Sequence, residues 1–526
     1  MRTLCRFAAL VAAVAVAGSL VGACGSSTPN SSNTLTVLAG SEIKDLEPLL
    51  PDLEKATGVH LTLTYSGTLE GAEKIAGGAD TDAAWFSHGK YLSLLPGAGT
   101  RIVASERIML SPVVLGVRRS VADKLGWTSN QSLTWKDIEA KAADGSFTFA
   151  MTNPAASNSG LTALIGVASA LSGSSDALDA GKIDKAAIRS FFKGQALTAG
   201  SSGWLADAYV RAQDTVDGII NYESVLLSLN AGGKLQEPLV IVYPSEGIVT
   251  ADYPLMLLNA SKRDAWTKVT AWLRTPDVQK RIMTETSRRP AVPGVALDAR
   301  FPAQTLIELP YPAKLETIDA LITAYLDEER KPASAVFVLD LSGSMKGDRI
   351  ASLKSALNAL TGLDTSLTGR FSRFRAREEV TLITFSSDVL DQRDFTIDDT
   401  NPNGPDMAAI RSYVDGLTTH QSTAIYSALD AAYQAVAKKQ AADPSRLYSI
   451  VLMTDGENNA GLEPGQFTSV YEAYPDAVRS VAAFPILFGD ANTDAMQSIA
   501  DLTGGRMFDA QKSPLGDIFK QIRGYQ

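Results

Sequence analysis

The chain has 526 residues, 45% hydrophobic and 20% charged, a globular composition long enough for two or three domains with separate cores. Lys and Arg total 48 against 58 Asp and Glu, a net charge of −10 that no long basic stripe offsets. This balance argues against nucleic acid as a partner, because binding a polyanion takes clustered cations that displace its counterions.

Arg2 and Arg6 flank a basic start, and Phe7 to Ala23 is apolar or small throughout. That is the layout of a secretory signal, and the run is short for a membrane-spanning helix. The only cysteines, Cys5 and Cys24, both lie at the extreme N-terminus, so there is no disulfide framework. Gly25 to Asn33 is rich in Ser, Asn and Gly, which cannot build a core and reads as a flexible tether. Leu20-Val21-Gly22-Ala23-Cys24 resembles the bacterial lipobox, in which the signal is cut before the cysteine and that cysteine is acylated. The resemblance implies a signal peptide over 1–23, a lipidated tether over 24–33 and a protein held on the extracytoplasmic face of the cell membrane. Two or more acyl chains on Cys24 would anchor it stably, at about 0.8 kcal/mol per buried methylene.

Folded sequence is expected from Thr34. Thr34 to Ala39 is strand-like, Leu46, Leu49, Leu50 and Leu53 form one helical stripe, and apolar residues alternate over Val59 to Tyr65. Strand, helix, strand predicts a parallel α/β sheet. Apolar runs at Pro112 to Val117, Phe147 to Met151, Leu239 to Tyr243 and Pro254 to Leu258 continue the pattern through an α/β region over 34–309. Residues 310–333 read as a helical linker, with Leu315, Ile318, Leu321, Ile322 and Tyr325 on one side and a boundary at Glu328 to Pro332.

The order of these elements, with the loops Tyr65-Ser66-Gly67-Thr68 and Thr152 to Gly160 and the later Tyr243-Pro244 and Ala251 to Pro254, resembles a two-lobed bacterial solute-binding protein of type II. The resemblance implies a ligand between the lobes, a small solute or an oxyanion, held by hydroxyls and helix N-termini. It places Ser41, Ser66 and Ser159 near the cleft, and Tyr222 and Glu223 on the facing lobe. The same residues read equally as caps and turns around a cleft without a solute.

From 334 to 526 a second α/β unit is expected. Ala335 to Leu339 is unbroken and apolar, as in a central parallel strand covered on both faces. Strands follow at Val380 to Phe385, Ser449 to Met453 and Ala482 to Phe488, between helices. The last helix carries Leu515, Ile518, Phe519 and Ile522 on one face. Oxygen-bearing side chains cluster where strands end: Asp340, Ser342 and Ser344 after the first strand, Thr423 ahead of a helix, and Asp455 after another strand. Each segment alone is a cap or a turn. Together they suit a hard cation such as Mg²⁺, or Mn²⁺ or Ca²⁺, which prefers oxygen ligands.

Asp340-x-Ser342-x-Ser344, Thr423 and Thr454-Asp455-Gly456 resemble the metal-ion-dependent adhesion site of von Willebrand factor type A domains, a doubly wound, Rossmann-like fold. The resemblance implies that Ser342, Ser344 and Thr423 contact the ion, that Asp340 and Asp455 hold its waters, and that a partner protein's Asp or Glu fills the vacant position. One departure is that Thr423 follows His420-Gln421-Ser422 and not a Gly-rich loop.

The expected function is a lipid-anchored cell-surface binding or adhesion protein. The alternative is a solute receptor of a transport system, with the C-terminal domain as docking module. An enzyme is not expected: no Ser-His-Asp order, nucleophile elbow, zinc-spaced His or Cys cluster or phosphate-binding Gly loop appears, and the metal motif has no evident general base.

Overall fold

The computed structural model describes residues 33–130, 132–173, 176–302 and 305–526; the expected signal peptide and Cys24 lie outside the described residues. The first lobe contains β1 (Thr34–Ala39), β2 (His60–Tyr65), β3 (Ala83–Trp85) and β4 (Ala104–Arg107). In β2, Leu61 is buried between exposed His60 and Thr62, so the alternation marks an edge strand with one covered face. The leucine stripe does pack inward, but it begins as a 3₁₀ segment, Ser41–Leu49, and becomes α-helical only over Leu50–Thr57. Pro48 lies in the 3₁₀ segment, where its missing N–H and its ring work against an α-helical start.

The second lobe contains β5 (Met109–Arg118), β6 (Phe149–Thr152), β7 (Gln195–Ala199), β8 (Gly218–Tyr222), β9 (Leu239–Val242) and β10 (Thr250–Ala251). The chain then returns to the first lobe as β11 (Pro254–Leu257), giving that sheet the order β2-β1-β3-β11-β4. The second sheet runs β10-β5-β8-β6-β7, and β5 also pairs with β9 and with β12 (Arg289–Pro290). The lobes therefore join through Ile108 and through Asp252-Tyr253, with β12 adding a further tie.

The linker is the helix Leu315–Ala324 followed by one π turn, Tyr325–Glu329. It packs on the second lobe, where the Tyr325 ring lies 4.9 Å from that of Phe192 and its hydroxyl donates to Gln195 Oε1 at 3.1 Å. The charged run expected to mark an open boundary is in part interior: Glu329 and Arg330 are buried, and Arg330 pairs with Glu378. Its partner lies 48 residues away, so local composition does not disclose the pairing.

The C-terminal domain holds β13 (Ala333–Asp340), β14 (Glu379–Phe385), β15 (Val389–Thr396), β16 (Leu447–Thr454), β17 (Ala483–Leu487) and β18 (Phe508–Asp509) in the order β15-β14-β13-β16-β17-β18. All pairs are parallel except β14 with β15. Every residue of β13 is buried, with separate apolar clusters on the two faces of the sheet. β15 escapes the hydrophobic pattern because it is an edge strand whose Asp391, Gln392, Arg393 and Asp394 meet solvent or ion-pair partners. Among the described residues no helix is long and apolar enough to cross a membrane.

Candidate functional site

Parallel pairing of β13 and β16 brings two strand ends side by side, Leu339 opposite Met453, so that Asp340 adjoins Thr454 and Asp455. The Thr454 hydroxyl donates to Asp340 Oδ2 at 2.6 Å, and the Ser342 N–H donates to Oδ1 at 2.7 Å. Both carboxylate oxygens are thus aimed. Burial pushes the Asp340 carboxyl upward, the bonds from Thr454 and Ser342 oppose it, and the Asp455 charge adds to the rise.

The Ser342 and Ser344 hydroxyl oxygens lie 2.9 Å apart, and Ser344 Oγ donates to Asp455 Oδ1 at 2.7 Å. Asp340, Ser342, Thr423 and Asp455 are buried, while Ser344 is exposed. Thr423 arrives on a pinned loop: the His420 N–H donates to the Leu341 carbonyl at 2.6 Å, the Ala424 N–H to the Ser386 carbonyl at 2.7 Å, and the Thr423 N–H to Asn459 Oδ1 at 2.7 Å. Ser422 takes φ +63°, the left-handed turn that a glycine would adopt more easily, so this loop reaches its shape without one. A Cβ at Gly456 would stand 3.5 Å from Thr423 Oγ1 and 3.6 Å from Ser344 Oγ, so the glycine leaves open the spot that both hydroxyls border. The five residues named from the sequence are therefore gathered at one end of the sheet.

Adjacent ligands of an octahedral ion with bonds of about 2.1 Å stand about 3 Å apart, which is the spacing of the two serine hydroxyls. Among the described residues no group of three or more His, Cys, Asp or Glu is arranged for a metal. The donor set here is instead three hydroxyls with two carboxylates behind them, all hard oxygen, and it fits a hard divalent ion.

Sequence reasoning missed Arg349. Its guanidinium bridges Asp455 Oδ2 (2.5 Å) and Asp490 Oδ2 (2.6 Å), giving buried Asp455 a cationic partner. Its place as the second residue of the helix Asp348–Asn358, just after the serine motif, is the only local signal.

A second concavity, a cavity of about 400 Å³, lies between the lobes. Three helices and the 3₁₀ segment begin at it, with N-caps Gly40, Gly67, Ser157 and Ser201, and at none of these does the capping side chain bond the helix N–H groups. Ser41, Ser66 and Tyr222 line it. Ser66 Oγ and Asn158 Oδ1, both on buried lining residues, have no hydrogen-bond partner. The Tyr222 hydroxyl donates to Ser87 Oγ at 2.8 Å.

Ser159 and Glu223 do not line the cavity. Ser159 Oγ is buried behind the wall among Thr152 Oγ1 (2.8 Å), Ser157 Oγ (3.1 Å) and Ser202 Oγ (2.8 Å). Glu223 is fully buried, with its carboxylate held by Arg289 at 2.7 and 2.8 Å and by the Tyr243 hydroxyl. Both stand at helix starts like their neighbours, but each turns toward an internal partner far along the chain. Glu42 was missed: it lines the cavity, and burial pushes its carboxyl upward against the opposing pull of hydrogen bonds and Arg288.

Residues 35–284 match the family model of the bacterial extracellular solute-binding protein, and residues 335–521 that of the von Willebrand factor type A domain. Among solved structures, the periplasmic binding protein AfuA of Actinobacillus pleuropneumoniae, with fructose-6-phosphate bound, is 14% identical, covering 56% of this chain and 98% of its own, with a TM-score of 0.43. The sulfate-binding protein SubI of Mycobacterium tuberculosis H37Rv is 21% identical, covering 55% and 96%, with a TM-score of 0.40. A von Willebrand factor type A structure from Catenulispora acidiphila is 16% identical over 37% of this chain and 42% of that one, with a TM-score of 0.30. No curated protein matches.

Proposed function

Starting from a chain in which a bacterial extracellular solute-binding domain is followed by a von Willebrand factor type A domain, we propose that it is a lipid-anchored cell-surface protein that binds an acidic group of a partner protein. The observation that carries this reading is the gathering of Asp340, Ser342, Ser344, Thr423 and Asp455 at one sheet end. Ser342, Ser344 and Thr423 would hold Mg²⁺ or a similar ion through neutral hydroxyls, with Asp340 and Asp455 orienting its waters. Such an ion supplies concentrated positive charge and a position for an anionic oxygen. The protein's own part is to aim the hydroxyls: the Thr454 and Ser342 bonds fix Asp340, and Ser344 is fixed by Asp455. Exposed Ser344 leaves one side of the cluster open to a partner's Asp or Glu. Cys24, once acylated, would tether this surface to the membrane on the extracytoplasmic side. In a pull-down from an envelope extract, the captured partner is expected in Mg²⁺ and lost in chelator; capture unaffected by chelator would count against the reading.

A second reading, a receptor for a small oxyanion, is favoured by the three helix starts at the interlobe cavity after Gly67, Ser157 and Ser201, none of which is capped by a side chain of its N-cap residue, whereas at Gly40 the Glu42 carboxylate already holds its own N–H. Free N–H groups and helix dipoles directed at one spot attract negative charge. The unpartnered Ser66 hydroxyl adds a donor. Calorimetric titration of the full chain with sulfate and phosphate is expected to show binding tighter than millimolar, and a flat titration removes this reading.

A further inference from the structure

The lobes do not enclose the cavity by themselves. Thr368, Phe371, Lys520, Gln521 and Tyr525 of the C-terminal domain line its remaining side. The two lobes are attached to that domain in different ways. The second lobe is held by close packing: a Cβ at Gly200 would stand 2.7 Å from the Tyr525 ring, and one at Gly524 would stand 2.8 Å from Ala156 Cβ. Asn153 Nδ2 donates to the Arg523 carbonyl at 3.4 Å, and Arg211 Nη2 to the Gly504 carbonyl at 3.0 Å. The linker joins the same body through Tyr325 on Gln195 and Arg330 on Glu378.

The first lobe packs its helix Thr68–Ala76 on the helix Leu367–Ser372, and among the described residues its hydrogen bonds to the C-terminal domain converge on one carboxylate. Glu73 accepts from the Leu367 N–H at 2.7 Å, the Thr368 N–H at 3.2 Å and the Thr368 hydroxyl at 2.6 Å, closing on the start of the helix Leu367–Ser372. Phe371 of that helix is buried in the apolar cluster that runs through the lobes. Where the chain passes between the lobes, fully buried Tyr253 takes φ +39°, a backbone state costly for a bulky residue. Strain of this kind at a crossover is what a hinge rotation can relieve.

We propose that the C-terminal domain is the third wall of the solute cavity and that Glu73 latches the first lobe to it, so that a solute enters when this lobe swings away from the helix Leu367–Ser372. The inference rests on the oxyanion reading for what enters, and on the interdomain contacts alone for the latch. Occupancy of the cavity and docking of the two domains are then linked, because a ligand touching all three walls favours the docked form.

Ser66 provides a reporter that needs no ligand, since it lines the cavity and is 7% exposed. In the full chain, the thiol introduced by Ser66→Cys is exposed to a nitrobenzoate disulfide reagent, and its modification is followed on the peptide containing position 66. Adding Glu73→Ala is expected to speed modification about tenfold, the scale set by losing charge-assisted hydrogen bonds from an opening equilibrium. Thr368→Val removes one of the three bonds from the other side and is expected to act in the same direction by a smaller factor, which serves if Glu73→Ala does not fold. Equal rates in the parent and in the folded variants overturn the latch. Calorimetric titration of sulfate into the parent chain, whose Ser66 hydroxyl is intact, reads the other question: binding supports the oxyanion, and a flat titration removes it while the rates still decide the latch.

Discussion

Asp340→Asn is expected to weaken Mg²⁺ binding by about 10–100-fold, the usual loss when a group that orients metal ligands or waters is changed. The substitution is nearly isosteric at the fully buried end of β13, and the Thr454 hydroxyl can still donate to the amide oxygen. What disappears is the negative charge, with its attraction for a divalent ion, and the acceptor for the Ser342 N–H. Metal-free protein should respond in the opposite sense. Burial and the Asp455 charge outweigh the bonds that the Asp340 carboxylate accepts, so the neutral amide is expected to raise the melting temperature without metal and to shrink the rise that Mg²⁺ produces. Calorimetry and thermal melts with and without Mg²⁺ check both signs. An unchanged Mg²⁺ affinity in a folded variant would remove Asp340 from the site.

Glu378→Ala is expected to cost about 3–5 kcal/mol of stability, the scale for breaking a buried ion pair and stranding its partners. The carboxylate is 1% exposed and lies between the Arg523 guanidinium (2.7 and 2.9 Å) and that of Arg330, and it also accepts the Arg375 N–H at 2.9 Å. Burial pushes the Glu378 carboxyl up, but the Arg523 and Arg330 charges outweigh it and hold it below the usual carboxylate range. Its contribution is therefore present above the ordinary carboxylate pKa and is lost as pH falls through the lowered value. Urea unfolding followed on the C-terminal domain should show the loss at neutral pH and a smaller difference from the parent in acid. Because Arg330 belongs to the linker and Arg523 to the last helix, the same variant should loosen the attachment of the two domains. A midpoint equal to the parent's at neutral pH would show that the cluster does not hold this junction.

Comparing residues separates two kinds of information. The buried strands β13, β14, β16 and β17 were legible because each is mainly apolar, whereas the polar edge strand β15 was not, and the five clustered oxygen-bearing residues were legible because three short strings stand directly at strand or helix ends. Arg349 was not legible, since its partners Asp455 and Asp490 lie 106 and 141 residues away. Ser159 and Glu223 looked like Ser41 and Ser66, all near helix starts, yet the fold turned two inward and two toward the cavity.

By itself, the sequence determined the α/β class, the succession of two domains and the membership of the hydroxyl-and-carboxylate cluster, because hydrophobic period and strand-end chemistry are written in neighbouring residues. Tertiary structure alone decided that Glu329 and Arg330 are interior, that the C-terminal domain walls the cleft, and that Glu73 closes on Leu367 and Thr368. Those facts depend on surfaces that meet only after each unit has folded, and a buried charge finds its partner through packing and not through spacing along the chain.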